Sequence, residues 1–227
     1  MLSNADSSFA GPSRRALWAE LAVLAALAAA FLVVFDTRAG YIDLALALAA
    51  VGLILLGGAR SRALWSRHPV AETPAVRLRR AAVAAASFTA GALVVLAAIG
   101  GALAFRDAGL DDAVARLANP RLLVASLLYL PWAWLQQFVF QFYLLGRLLA
   151  LLPVGAAVPL TAAAFAAVHY PRAPVMAVTL VAGAVWALLY RRFRSLVPLA
   201  VSHALLGAAL HYWVFGRDLV ALWLGSS

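Results

Sequence analysis

The chain alternates long apolar runs with short polar breaks. The runs cover residues 17–35, 41–59, 81–105, 122–149, 154–168, 173–190 and 195–215. None shows the period-2 alternation of a half-buried strand, so each predicts a helix. A helix crossing a bilayer needs about 20 apolar residues. The pattern therefore predicts an all-α, polytopic transmembrane helical bundle of about seven spans. A last apolar piece, 219–224, is too short to span and is expected at the membrane interface. Residues 60–80, with Pro69 and Pro74, read as one sizeable inner loop, and 106–120 as its outer counterpart. Residues 1–15 read as a polar cytoplasmic tail ending in Arg14 and Arg15. They are not read as a cleavable signal, because the first apolar run is long and no small-residue cleavage site stands out.

Composition narrows the class further. The 227 residues are 66% hydrophobic and 12% charged. Soluble domains carry about 45–50% apolar and about 25% charged residues. A soluble enzyme and a disordered chain are excluded, and the absence of cysteine excludes a disulfide scaffold and any thiolate chemistry. A membrane β-barrel would show weak alternating segments of about ten residues, which are not seen.

The net charge of +9 changes the picture less than its size suggests. All 18 basic residues are arginine, and they sit mainly in the breaks between apolar runs. With the N-terminus in the cytoplasm, 12 arginines fall on inner segments and 6 on outer ones, as the positive-inside bias requires. Nucleic acid is not an expected partner, because no contiguous basic face with interleaved aromatics occurs. The Ala, Arg, Leu and Val bias fits a GC-rich bacterial genome, and the expected location is a bacterial inner membrane.

Polar groups within apolar runs are costly, and each is by default a functional-site hypothesis. Gln136, Gln137 and Gln141 stand in the fourth run and are the only glutamines in the chain. His169 closes the fifth run and His203 lies in the seventh. Gln137 and Gln141 are four apart and share a helix face. Interhelical hydrogen bonding, worth about 0.6 kcal/mol per contact, is the plainer reading of such glutamines.

In order and spacing these residues resemble the CPBP family, the CAAX-protease and bacteriocin-processing proteins. Its intramembrane motifs are EExxxR, then FxxxH with a following proline, then HxxxN or HxxxB. Gln136, Gln137 and Gln141 stand at the first motif, Phe165, His169 and Pro171 at the second, and His203 with Gly207 at the third. The stretch 183–196 also resembles the family's linking helix and turn. The resemblance covers about residues 120–212, and it divides the chain into a tail (1–15), N-terminal transmembrane helices (16–120), a CPBP-like core (121–215) and a C-terminal tail (216–227).

The resemblance implies an intramembrane endopeptidase acting on membrane-associated peptides. It puts Gln136 at the water-activating base, Gln137 at its helper, Gln141 at the arginine, and His169 and His203 at the orienting and oxyanion-stabilising histidines. The departure is chemical. A carboxylate accepts a proton, whereas an amide does not near pH 7. General-base catalysis is worth about 10²–10⁴-fold, and no glutamate lies near the motif: Glu20 and Glu72 are remote, and Glu20 and Asp43 read as near-surface groups. The family's mechanism does not run here as written. Whether the protein is an enzyme stays open at this point, the alternative being an inactive relative that binds a membrane peptide or protein partner. A small transporter is a third class, favoured only by a continuous polar path. Two or three histidines with no nearby carboxylate could bind zinc, but no metal and no cofactor is expected.

Two geometric expectations follow. From the outer end near Arg121, Gln136 lies about 22 Å deep, and His203 about 12 Å above an inner start at Ser195. In a core of about 30 Å these heights nearly agree, so the motif residues are expected in one cavity. Counted from Val154, however, His169 would stand about 22 Å from the inner side. The fifth helix is therefore expected to begin at Pro159 and to break at 169–174. His211, about 80° off the face of His203, is read as interfacial.

Overall fold

The computed structural model describes residues 13–33, 40–66 and 71–224. Residues 1–12 of the tail, and His68 and Pro69, lie outside the described residues. All regular structure among the described residues is helical: α1 (Arg14–Val33), α2 (Gly40–Ser66), α3 (Pro74–Ala108), α4 (Leu110–Leu117), α5 (Arg121–Gln137), α6 (Leu145–Leu151), α7 (Val154–Ala167), α8 (Ala173–Phe193), α9 (Val197–Ala209) and α10 (Leu219–Leu224). Two π-helical segments, Phe138–Leu144 and Leu210–Val214, continue α5 and α9. Four stretches among the described residues are long and apolar enough to cross a membrane: Pro74–Ala108, Arg121–Leu151, Ala173–Phe193 and Val197–Val214. Apolar α7 is shorter.

Three expectations are corrected. Much of the inner loop at 60–80 is helix, because α2 runs on to Ser66 and α3 begins at Pro74. Arginine is a good helix former, so charge there marks helix ends rather than loop. Thr73 caps α3, its hydroxyl accepting from the Val76 amide at 3.4 Å with Pro74 in the first turn, where a missing N–H costs nothing. The outer loop 106–120 contains α4, which an Asp112–Arg116 pair at 3.0 Å braces one turn apart. The fifth helix begins at Val154, after Pro153, and carries Pro159 inside it. The expected break is present: 168–172 turn, with a cis Tyr170–Pro171 bond, before α8 starts.

The chain forms two compact units, residues 1–70 with 139–187 and residues 71–138 with 188–227. In the first, α6 packs on α1, α2 and α7, with Leu17, Leu64 and Leu151 buried together. Its polar centre is Arg147, fully buried on α6. The guanidinium pairs with Glu20 of α1 at 2.5 Å, and Glu20 also accepts from Tyr143 at 3.2 Å and from Arg60. Arg147 further donates to the Ser61 hydroxyl at 2.8 Å and to the Tyr143 and Gly57 carbonyls at 3.0 and 3.4 Å. Glu20, expected near the membrane surface, is thus a buried ion-pair partner. Gly57 makes the approach possible: a Cβ there would stand 2.6 Å from Arg147 Nη2 and 2.7 Å from the Tyr143 ring. Trp65 donates to the Phe142 carbonyl at 2.8 Å. Phe142 and Tyr143 both lie in a π segment, and widened turns of this kind are common at functional sites.

In the second unit, α9 packs on α5 and α3, and α4 on α3. Gly100 of α3 lies against the π segment after α9, and a Cβ would come 2.4 Å from the Trp213 carbonyl oxygen. Asp218 closes the unit. It accepts from Arg121 at 2.5 Å, from the Tyr212 hydroxyl at 2.6 Å, and from the Val220 and Ala221 amides at 2.9 and 3.1 Å, so it caps α10.

Candidate functional site

The motif positions divide between the units, and each group is built within its own. In the second unit α5 carries Tyr129, Gln136 and Gln137, and α9 carries His203. Tyr129 and Gln136 are seven residues apart, two helical turns, and so share a face of α5. α9 lies along that face because small residues at the contact let the helices close: Ala125 and Ala208 are buried in one cluster with Tyr212 and Leu219. Small residues are the usual means of close helix approach in membranes.

Four polar side chains form a chain across this contact. Gln137 Nε2 stands 3.5 Å from His203 Nδ1, His203 Nε2 stands 3.4 Å from the Tyr129 hydroxyl, and that hydroxyl stands 3.5 Å from Gln136 Oε1. These contacts are long for hydrogen bonds, yet their donors and acceptors agree in one direction only. The Gln137 amide donates to Nδ1, Nε2–H donates to the tyrosine oxygen, and the tyrosine O–H donates to Gln136. Reversing the chain would give Gln136 Oε1 no proton to accept. This direction corresponds to the neutral Nε2–H tautomer of His203, with a polar partner within 3.5 Å of each ring nitrogen. The Tyr129 and His203 rings meet edge-on at 5.5 Å. Next to His203, Ser202 accepts from Thr89 of α3 at 2.7 Å.

Gln137 is fully buried. Its Oε1 finds no hydrogen-bond partner among the described residues. A buried acceptor left in this state costs about 1–3 kcal/mol.

In the first unit the FxxxH pair explains itself physically. His169 sits one turn beyond Phe165, and its Nδ1 lies 2.8 Å from the Phe165 carbonyl oxygen, which fixes the proton on Nδ1 and the lone pair on Nε2. The fully buried Phe165 ring meets the His169 ring at 5.1 Å and is held by Phe140 and Trp186. Gly183 of α8 admits that ring closely, since a Cβ there would stand 3.1 Å from Phe165 Cδ1. Gln141, in the π segment, is fully buried, and neither of its amide atoms has a hydrogen-bond partner among the described residues.

His211 bonds the Gly207 carbonyl at 2.9 Å and packs on Phe215. No group of three or more His, Cys, Asp or Glu side chains that could hold a metal ion occurs among the described residues. Tyr129 was missed from sequence, although its seven-residue spacing to Gln136 was there to be read.

Residues 118–209 match the family of type II CAAX prenyl endopeptidase Rce1-like proteins. This segment includes all three motif positions, and over it the chain is similar to CAAX-type proteases. No curated protein and no solved structure matches the chain.

Proposed function

We propose that this CAAX-protease relative has lost glutamate-type hydrolysis and holds a membrane-associated peptide at the Gln136, Gln137 and His203 positions of α5 and α9 without cutting it. The observation that carries this is the neutral chain around His203. Gln136, at the base position, is an acceptor from Tyr129 and has no acidity or basicity to lend. His203 has both nitrogens committed, so it lacks a lone pair for activating water. The buried Gln137 Oε1 asks for an N–H donor, and a peptide backbone supplies one at every residue but proline. Two acids and one base replaced together by amides keep the polarity and remove the charge, which avoids stranding a buried ion. The arginine distribution, 12 inner against 6 outer, supports a bacterial inner membrane with the N-terminus in the cytoplasm.

The test uses purified full-length protein in nanodiscs and a farnesylated peptide with a CAAX-type C-terminus, labelled at both ends. Wild type is expected to bind the probe and leave it intact. Gln137→Leu, which removes the acceptor, is expected to weaken binding about tenfold, since one hydrogen bond to a buried group is worth about 1–2 kcal/mol. The triple variant Gln136→Glu, Gln137→Glu, Gln141→Arg restores the family's charges together, so that no single charge is left alone. Cleavage by wild type that disappears in His169→Ala would overturn the proposal and make that histidine the base.

A further inference from the structure

In the family pattern the histidine at position 203 is followed four residues later by an asparagine, and here that place is Gly207. The gap is not empty. A Cβ built on Gly207 would stand 3.0 Å from Cε1 and 3.5 Å from Cδ1 of the Tyr129 ring. Tyr129, on α5, therefore occupies the path that a side chain at 207 would take. From there its hydroxyl reaches His203 Nε2 at 3.4 Å and Gln136 Oε1 at 3.5 Å. Its ring meets the imidazole edge-on at 5.5 Å.

The two positions crowd one another. A Cβ at 207 requires the Tyr129 ring to give by a few tenths of an ångström, and a longer side chain there requires more. We infer that Tyr129 is the positioning residue of His203 in this chain, its phenol replacing from the neighbouring helix the polar partner that the third motif lacks at Gly207. The inference rests on reading the motif positions as the site, but not on what the site binds.

The substitution changes what the partner does. An asparagine amide brings both a donor and an acceptor, and so leaves the imidazole tautomer undetermined. A phenol whose one proton is given to Gln136 can only accept from the histidine, so the proton of His203 stays on Nε2. The Gln137 amide, at a long 3.5 Å from Nδ1, agrees with this state but is too weak a contact to hold it without the tyrosine. Tyr129 thus links the glutamines of α5 to the histidine of α9 in a single direction.

The experiment reads the histidine directly and needs no peptide. Full-length protein labelled with ring-¹⁵N histidine is reconstituted in bilayers, and the His203 signals are identified by their loss in His203→Gln. Wild type is expected to show a pyrrole-like Nε2 and a pyridine-like Nδ1. Tyr129→Phe keeps the ring and removes the hydroxyl, and is expected to turn His203 into a mixture of tautomers while helical content is retained. Gly207→Asn alone is expected to destabilise the protein, because the ring is in its way. Combined with Tyr129→Ala, the same change is expected to recover more than half of that loss and to reduce the tautomer mixing seen in Tyr129→Ala alone.

An unchanged His203 spectrum in Tyr129→Phe would overturn the inference. So would a Gly207→Asn cost that is equal with and without the tyrosine. Either result leaves the peptide-holding reading standing, whereas probe cleavage by wild type would overturn that reading and leave the tautomer result untouched.

Discussion

Replacing Arg147 by methionine tests the polar centre of the first unit. The side chain is fully buried, and it makes an ion pair with Glu20 and three further hydrogen bonds, to Ser61, Tyr143 and Gly57. Removing one member of a buried pair costs about 3–5 kcal/mol, because the other charge stays behind. Glu20 keeps Arg60 and the Tyr143 hydroxyl, which moderates the loss of the ion itself. The Ser61 hydroxyl and the two carbonyls lose their arginine donor, at about 1 kcal/mol each. The expected cost of Arg147→Met is therefore about 4 kcal/mol. The double variant Glu20→Leu, Arg147→Met removes both charges and should cost clearly less than the two single changes added, by about 1–3 kcal/mol of coupling. Reversible unfolding in mixed micelles, followed by tryptophan fluorescence, measures all three variants. A single variant within about 0.5 kcal/mol of wild type, or strict additivity in the double, would show that the pair does not hold the unit together.

Gly57→Ala should destabilise by about 1–3 kcal/mol in the same assay, since its Cβ would enter the space of Arg147 and Tyr143. It should be nearly harmless once Arg147 is methionine and Tyr143 is alanine. Asp218 gives a pH signature: the Tyr212 hydroxyl and the Arg121 guanidinium hold its carboxyl down at about 2. A depressed carboxyl stabilises the fold above its unfolded value of about 4 and loses that contribution as pH falls toward 2. Asp218→Asn should flatten the acid limb of a thermal-midpoint profile over that window and leave neutral pH less affected by further acidification. Ser202→Ala removes the acceptor of Thr89 at 2.7 Å and should cost about 1 kcal/mol in unfolding measurements.

The helices were legible because a bilayer demands long apolar runs, and no soluble pattern competes with them. The ends were less so. Arg60, Arg62, Arg77, Arg79 and Arg80 looked like loop, yet they continue α2 and α3, because an arginine at the end of a span can extend its stem along apolar surface and keep its charge in water. The π segments left no trace, since seven mixed aromatic and aliphatic residues at 138–144 fit an α-helix equally well. The Glu20–Arg147 pair joins residues 127 apart, and nothing local announces such a partnership. The break at 168–172 is legible from two prolines, but the start of α7 is not, because a proline suits the first position of a helix and Pro159 instead lies inside one. Among the site residues, the glutamines and histidines stood out as polar groups in apolar runs. Tyr129 did not, because tyrosine in such a run ordinarily reads as packing.

The neutral chain of Gln136, Tyr129, His203 and Gln137 also has an electrical meaning. A full charge carried through the membrane field exchanges about 2.3 kcal/mol with every 100 mV of potential. Carboxylates and guanidinium groups in a span are therefore subject to voltage. Amides, a phenol and a neutral imidazole carry no such handle. These groups contribute nothing when the membrane polarises, and counterions have nothing there to screen. These four side chains are electrically silent in an energised membrane, so on the peptide-holding proposal any voltage or salt dependence of binding would come from the peptide's own charges.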